Sequence, residues 1–205
     1  MLGPLISASW DKDPRHLGFM LAKYKFVAKM LVGVPKVLEI GCGDATGSRV
    51  VAQTVGALTC IDTDDDLLEK SSSKDRVTLL NHDMLDGPMP RFDAAYALDV
   101  LEHVDWQDED KFFENVKASL TQTGIFICGS PSKESRIYSK GDPHEACEFR
   151  DSIHSAPVVN CKTEAEMRET LKRYFSNVFV FGMNDEVLHT GYGPMTHYRL
   201  AVCTI

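Results

Sequence analysis

The stretch 37–44, Val-Leu-Glu-Ile-Gly-Cys-Gly-Asp, decides the fold of this 205-residue chain. Its apolar run predicts a strand over residues 36–40, and two glycines follow directly. Because glycine has no Cβ, Gly41 and Gly43 allow backbone conformations closed to other residues and let a ligand approach the main chain. A strand that ends in such a turn, at the carboxyl edge of an open α/β sheet, is the usual place for nucleotide-like ligands.

Strand and helix patterns alternate along most of the chain. We predict strands at 36–40, 58–61, 76–80, 92–98, 125–129, 178–182 and 199–204, and helices at 17–32, 47–55, 111–120 and 163–174. Such alternation indicates a mostly parallel sheet with helices on both faces. The last two strands have no helix between them, which favours an antiparallel hairpin at a sheet edge. We therefore expect one Rossmann-like α/β domain over residues 1–205, with seven strands.

Composition narrows the classes of function. A net charge of −8 argues against a nucleic-acid binder, which normally shows a basic face. No apolar run is long enough to span a bilayer, and residues 1–10 lack the features of a signal peptide. The six cysteines are scattered and contain no Cys-x-x-Cys pair, as is typical of a reduced protein. We expect a cytoplasmic protein with a small-molecule substrate, no membrane partner and an undetermined oligomeric state.

Three ligands suit a glycine turn after the first strand. A Walker phosphate loop needs a Gly-Lys pair, and none follows here. A dinucleotide fingerprint needs a third glycine at position 46, which is Thr46. S-adenosylmethionine carries no phosphate, and its ribose hydroxyls can be held by a carboxylate at the end of the second strand. Asp62 stands there, 21 residues after Gly41, although Asp62 or Asp64 could instead cap the next helix.

At this point the chain resembles the class I S-adenosylmethionine-dependent methyltransferases. It looks most like the small-molecule group that includes the ubiquinone-biosynthesis O-methyltransferases. The matching pieces are Glu39-Ile-Gly-Cys-Gly43, Ile61-Asp62, His82-Asp83-Met84, and the run 92–104 that ends in Leu-Glu-His-Val. The resemblance covers nearly the whole chain, and of its four ordered pieces the last is the most specific.

The resemblance implies a cofactor site for S-adenosylmethionine under an N-terminal helical lid formed by residues 1–33. It implies the following residues: Tyr24, Glu39, Gly41, Cys42 and Gly43 around the turn and the methionine part; Asp62, Thr63, Asp83 and Met84 around ribose and adenine; Leu98, Asp99, Val100 and His103 near the sulfonium. In this reading Glu39 orders the turn, and Tyr24 or Lys25 reaches the methionine carboxylate. The chain departs from the family at Ala45, where the third turn glycine would stand.

Methyl transfer to a neutral hydroxyl or an ammonium group also needs a general base. Histidine suits this role near neutral pH, and we consider His103, His144, His154 and His189 as candidates, between which spacing does not choose. The polar segment 131–160 follows the fifth strand, so we expect it to form the substrate pocket. Its side chains available for this are Arg136, Tyr138, Phe149 and Arg150.

Two alternatives stay open beside a small-molecule O- or N-methyltransferase. The protein could be a cofactor-binding partner or regulatory subunit that has lost catalysis. A dehydrogenase is a more remote alternative. Four zinc ligands could come from His144, Cys147, His154 and Cys161, but their spacing is too wide for common zinc patterns, so we expect no metal.

Overall fold

The computed structural model describes residues 3–135, 157–191 and 196–205. Six α-helices are found in these ranges: α1 (Pro4–Lys12), α2 (Arg15–Met30), α3 (Ser48–Val51), α4 (Asp65–Lys70), α5 (Glu109–Ala118) and α6 (Glu164–Lys172). One sheet contains eight strands: β1 (Lys36–Ile40), β2 (Ala57–Asp62), β3 (Thr78–Asn81), β4 (Phe92–Leu98), β5 (Leu120–Pro131), β6 (Asn177–Asn184), β7 (Val187–His189) and β8 (Tyr198–Thr204). A single 3₁₀ turn, Leu101–His103, follows β4.

The expected Rossmann-like α/β architecture is confirmed. The strand order is β3-β2-β1-β4-β5-β8-β6-β7, and β1 to β5 pair in parallel. After β3 the chain crosses to the other side of β1, so β1 and β4 lie side by side at the point where the order reverses. Ligands of open α/β sheets bind at this switch point, outside the carboxyl ends of the strands. The glycine turn after β1 lies there.

The strand count of seven was wrong by one. The extra strand, β7, has three residues and pairs antiparallel with β6 across a tight turn at Asp185, whose φ is +49°. Three residues are too few to show the alternation by which a strand is recognised in sequence. The predicted antiparallel edge is present, and it includes β8, which lies between β5 and β6 and runs opposite to both.

The reversed direction of β8 matters for the site. Tyr198, at the start of β8, pairs with Pro131 at the end of β5. The beginning of β8 therefore lies at the same edge of the sheet as the carboxyl ends of the parallel strands. His197 directly precedes it, so this residue also reaches that edge.

Helices cover both faces of the sheet. Phe112 and Phe113 of α5 pack with Met167 of α6 on one face, while Val27 of α2 and Leu31, directly after this helix, are fully buried on the other. The predicted capping box at the start of α6 is confirmed, since Thr163 and Glu166 exchange hydrogen bonds between side chain and backbone. Within the described ranges, no helix is long and apolar enough to cross a membrane.

Candidate active site

The turn after β1 takes backbone conformations that favour glycine. Gly41 and Gly43 have φ values of +71° and +54°. The N–H groups of Gly41 and Cys42 both donate to the carbonyl of Ile61, at 2.8 and 3.1 Å. A Cβ on Gly41 would lie 2.3 Å from Cγ2 of Val100. Gly41 is therefore required for its φ and for the space that it leaves to the segment after β4.

Ala45 occupies the position of the missing third glycine. Its φ is +53°, in the left-handed region that L-residues other than glycine adopt at a cost. Ala45 is fully buried, and its carbonyl accepts a hydrogen bond from the hydroxyl of Ser73 at 2.8 Å. The chain thus keeps the glycine-like conformation at this position with an alanine.

Asp62 is bound to the turn. Its Oδ2 accepts from the N–H of Gly43 at 2.7 Å, and its Oδ1 accepts from the N–H of Asp64 at 3.0 Å. The cap of α4 comes from Asp64, whose side chain accepts from the N–H of Leu67. The alternative that Asp62 serves as this helix cap is therefore wrong, and its carboxylate faces the turn.

Glu39 is buried behind the turn, with 1% of its surface exposed. It accepts hydrogen bonds from the hydroxyls of Tyr24 and Tyr96, at 3.0 and 2.7 Å, and from the thiol of Cys60 at 3.3 Å. Burial raises the pKa of the Glu39 carboxyl, although these donors act in the opposite direction. These partners belong to α2, β4 and β2. Tyr24 in turn packs its ring on Gly47, just beyond the glycine turn.

A cavity of about 840 Å³ opens at this edge of the sheet. The described residues that line it come from α1, the glycine turn, α2, the ends of β4 and β5, the β6–β7 turn and the start of β8: Leu5, Ile6, Asp13, Arg15, His16, Leu17, Phe19, Met20, Lys23, Tyr24, Gly41, Cys42, Gly43, Asp44, Gly47, Leu98, Asp99, Pro131, Ser132, Ser135, Asp185, Glu186, His197 and Tyr198. The lining residues thus come from the start of the chain, from the glycine turn and from the end of the chain.

The predicted cofactor residues divide into two sets. Those that line the cavity are Tyr24, Gly41, Cys42, Gly43, Leu98 and Asp99, whereas Glu39, Asp62, Thr63, Asp83, Met84, Val100 and His103 do not. Thr63 is exposed just after β2, and Asp83 accepts from the N–H of Leu85 at 2.8 Å, at the end of the neighbouring strand. Met84 is buried in the core. Lys25 is exposed and does not line the cavity.

The N-terminal helices cover the glycine turn. Asp44, with 3% of its surface exposed, accepts from the N–H of Leu5 at 2.9 Å, and the hydroxyl of Thr46 accepts from the N–H of Gly3 at 3.0 Å. The start of α1 is thereby joined to the turn. Two helices, α1 and α2, occur over this segment where the sequence predicted one, and their role as a lid over a bound cofactor stays a prediction.

Lys23 and Asp99 form an ion pair in the cavity wall that the sequence did not indicate. The Lys23 side chain is 7% exposed and that of Asp99 33%. Asp99 has a φ of +56°, and its N–H donates to the carbonyl of Gly129 at 3.0 Å and to the hydroxyl of Tyr198 at 3.2 Å. A lysine beside an apolar helical stripe is usually solvated, so no sequence signal distinguishes Lys23 from Lys25.

Of the four predicted histidines, the structure describes His103 and His189, and neither lines the cavity. His103 contacts the carbonyl of Pro157 at 2.9 Å, and His189 contacts Asn184 Oδ1 at 2.8 Å. His144 and His154 lie outside the described residues. Two other histidines, His16 and His197, do line the cavity. The antiparallel direction of β8, which brings His197 to this edge, was the signal available for finding it.

Glu102 lies just behind Asp99 and is 2% exposed. Burial, with the nearby charge of Asp99 as the next cause, raises the pKa of Glu102 to about 8. Its Oε2 has no hydrogen-bond partner within the described part of the chain. Glu102 is therefore a buried carboxyl group next to the site whose ionisation is disfavoured at neutral pH.

The segment expected to form the substrate pocket is described only at its ends. Pro131, Ser132 and Ser135 line the cavity. The expected pocket side chains Arg136, Tyr138, Phe149 and Arg150, and three of the four zinc candidates, His144, Cys147 and His154, lie outside the described residues. Cys161 is buried, and no three His, Cys, Asp or Glu side chains in residues 3–135, 157–191 and 196–205 are grouped to hold a metal.

Part of the chain matches a known protein family, and its fold is similar to that of several solved structures. Residues 37–124 match a family model described as "Methyltransferase domain". No curated protein matches the chain. The matched segment begins in β1 and ends within β5, so it contains the glycine turn, Asp62, Asp83 and Asp99.

Several solved structures share the fold. A "SAM-dependent methyltransferase, possible histamine N-methyltransferase" from Thermotoga maritima has a TM-score of 0.72 at 17% identity and covers 97% of this chain and 95% of its own. Magnesium protoporphyrin IX methyltransferase from Synechocystis PCC 6803, with bound SAH, has a TM-score of 0.66 at 16% identity, covering 90% and 82%. An S-adenosylmethionine-dependent methyltransferase from Clostridium acetobutylicum has a TM-score of 0.69 at 12% identity, covering 98% and 97%. The chain therefore has the fold of the S-adenosylmethionine-dependent methyltransferases.

Proposed function

We propose that the protein is an S-adenosylmethionine-dependent methyltransferase that transfers the methyl group to an oxygen or nitrogen of a small molecule. One observation carries the proposal: the left-handed turn at Gly41 and Gly43 is held by Asp62 and opens into a cavity of about 840 Å³. Ligand pockets have volumes of about 300–1,000 Å³, so this cavity is large enough for the methionine part of a donor and a small acceptor.

The donor fits the turn side of the site. Each oxygen of Asp62 accepts one backbone N–H, and a carboxylate oxygen has a second acceptor position that would serve a ribose hydroxyl. The resemblance assigns the adenine to Thr63, Asp83 and Met84, which follow β2 and β3 at the same edge. The methionine part would lie along residues 41–43 below Tyr24, all of which line the cavity.

The acceptor would enter on the side of Lys23, Asp99 and Tyr198. Methyl transfer is an in-line displacement, so the acceptor atom must face the sulfonium carbon at a near-attack distance. The proton that the acceptor loses needs a base, and His16 and His197 line this side of the cavity. We add both to the four histidines considered above.

The narrower resemblance to the ubiquinone-biosynthesis group supports a small acceptor. Four described cysteines, Cys42, Cys60, Cys128 and Cys203, are free thiols, and this supports a reducing compartment such as the cytoplasm.

Calorimetric titration of the purified protein with S-adenosylmethionine and S-adenosylhomocysteine tests the shared premise. We expect binding in the micromolar range, and no binding at millimolar cofactor would overturn the proposal. Release of S-adenosylhomocysteine in the presence of a small-molecule metabolite extract then separates the enzyme from a catalytically inactive cofactor-binding partner. Cofactor binding without any release would favour the inactive alternative.

A further inference from the structure

We propose that the acceptor is a cationic amine, which the cavity recognises by its excess negative charge and its aromatic wall. This inference rests on the proposed function, because it names the substrate class of the same site. It is carried by three features of the cavity: the balance of its charged side chains, the way it already holds an ammonium group, and the position of two carboxylates at its mouth.

Carboxylates outnumber permanently charged cations in the cavity lining by five to two. Two carboxylates are used within the wall, since Asp44 binds backbone N–H groups of α1 and the glycine turn, and Asp99 pairs with Lys23. Asp13 pairs with Arg15, whose guanidinium holds the pKa of Asp13 down at about 2. The other cation of the lining is thus matched by a carboxylate as well.

Asp185 and Glu186 remain at the mouth of the cavity. Both residues are exposed in the turn between β6 and β7, and the carboxylate of Glu186 faces Gly18 of α2. No donor in the described parts of the chain forms a hydrogen bond with either carboxylate. The carboxylates of Asp185 and Glu186 are therefore available to any molecule that enters between α2 and this turn.

The wall of the cavity already stabilises an ammonium group. The Lys23 Nζ lies 4.4 Å from the ring centroid of Tyr198 and 5.4 Å from that of Phe19, beside the Asp99 carboxylate. The two rings meet edge to face at 5.9 Å. Aromatic faces next to a carboxylate are the usual surroundings of a bound organic cation. Asp185 and Glu186 would repel an anionic acceptor at the mouth, where the nearby Arg15 is already paired with Asp13. A neutral alcohol would gain nothing from the charge of the two carboxylates.

The reaction balances for an amine acceptor. The ammonium first gives a proton to a base in the cavity, His16 or His197, which passes it to solvent. The nitrogen lone pair then forms the N–CH₃ bond as the S–CH₃ bond breaks, and the sulfur keeps the bonding electrons. S-adenosylhomocysteine leaves as a neutral thioether, and no oxidant or reductant is needed.

Two series of probes of similar size, each with a cationic, a neutral and an anionic member, test the proposal. We would measure binding of phenethylamine, 2-phenylethanol and phenylacetate, and of butylamine, butanol and butyrate, to the full chain saturated with S-adenosylhomocysteine. We expect each amine to bind at least about tenfold more tightly than its alcohol and carboxylate at low ionic strength, with a smaller preference at high salt. With S-adenosylmethionine, the amines should also give the faster release of S-adenosylhomocysteine.

The double variant Asp185→Asn/Glu186→Gln should lose most of the preference for amines. The matched control is Glu69→Gln/Glu114→Gln, which removes two exposed carboxylates outside the cavity lining and should leave the preference unchanged. Equal binding of the three probes within each series, no binding of any of the six at millimolar concentration, or a preference that survives in the double variant would overturn the proposal. If the cofactor itself does not bind, the proposed function fails, and the same probes on the cofactor-free protein still decide the charge preference.

Discussion

The carboxylate of Asp62 accepts a hydrogen bond from the N–H of Gly43 at 2.7 Å, which joins the end of β2 to the glycine turn after β1. The Asp62 side chain thus holds the turn, and in the proposed function it also binds the ribose of S-adenosylmethionine. The first prediction follows from this double role.

Asp62→Ala should lower the affinity for S-adenosylmethionine by about 100-fold or more. Two hydrogen bonds to a charged group are lost, and each contributes about 1.5–3 kcal/mol. Asp62→Asn keeps an oxygen that can accept from the N–H of Gly43. This variant therefore separates the contribution of Asp62 to the turn from its contribution to ribose binding. The matched control is Asp64→Ala, which removes the cap of α4 two residues away. A loss of affinity in Asp64→Ala equal to that in Asp62→Ala, measured by calorimetry, would contradict the assigned role.

Gly41→Ala should destabilise the protein more than Gly33→Ala. Both glycines have a positive φ, +71° and +78°, so both variants carry a similar backbone cost. A Cβ at Gly33 meets nothing within 4 Å, whereas at Gly41 it meets Val100. We expect an additional loss of about 1–3 kcal/mol in the free energy of unfolding at Gly41, measured with urea. Val100→Ala in the Gly41→Ala background should recover part of it, and equal losses at the two glycines would refute the close packing.

Asp99→Asn should destabilise the fold by about 3 kcal/mol, because it leaves the Lys23 ammonium buried without its partner. Asparagine tolerates the left-handed backbone at this position, so the charge is the main change. Lys23→Met should cost less, since Asp99 is partly exposed and solvent screens its charge. In the double variant the two losses should not add. Lys25→Met, on the exposed side of the same helix, is the control and should change stability by less than about 0.5 kcal/mol.

Stability should fall between about pH 4.5 and pH 8 through Glu102. Its pKa is about 8 in the fold and 4.5 when solvated, so in this window the folded protein holds a proton that the unfolded chain has released. This stabilisation is complete below the unfolded pKa and is lost as the pH rises through the folded one. The upper bound is about 5 kcal/mol.

The comparison of Glu102→Gln with the wild type isolates this effect. Urea unfolding at pH 5.5 and pH 8.5 should show a smaller drop in stability for the variant, because it has no carboxyl to ionise there. Glu114→Gln, at an exposed position of α5, should keep the wild-type drop. If Glu102→Gln shows the same pH dependence as the wild type, the carboxyl is already ionised in the fold at neutral pH.

Among the described histidines, those that line the cavity should matter most for turnover. His16→Gln and His197→Gln should be compared with His103→Gln and His189→Gln in the release of S-adenosylhomocysteine. A general base contributes about 10²- to 10⁴-fold, so at least one of the first pair should lose about 100-fold in kcat while cofactor affinity stays unchanged. A large loss in His103→Gln or His189→Gln alone would return the role to the histidines that the sequence favoured.

Much of the fold could be predicted from local patterns. The alternation of apolar runs with helical spacing predicted the parallel strands, and the Thr163 to Glu166 motif predicted the cap of α6, because these signals act over a few neighbouring residues. The pattern over residues 1–33 predicted one helix where two occur. Local patterns also did not reveal β7, whose three residues pair with β6 only across a tight turn.

The sequence by itself determined the glycine turn, since only glycine at position 41 satisfies both its φ and its close contact with Val100, and it determined the carboxylate at position 62 that faces this turn. Only the tertiary structure decided which side chains from distant parts of the chain line the cavity. Lys23 and Asp99 are separated by 76 residues and meet through packing, and His197 reaches the cavity because β8 runs antiparallel. Contacts of this kind depend on strand order and direction, which no local pattern of residues carries.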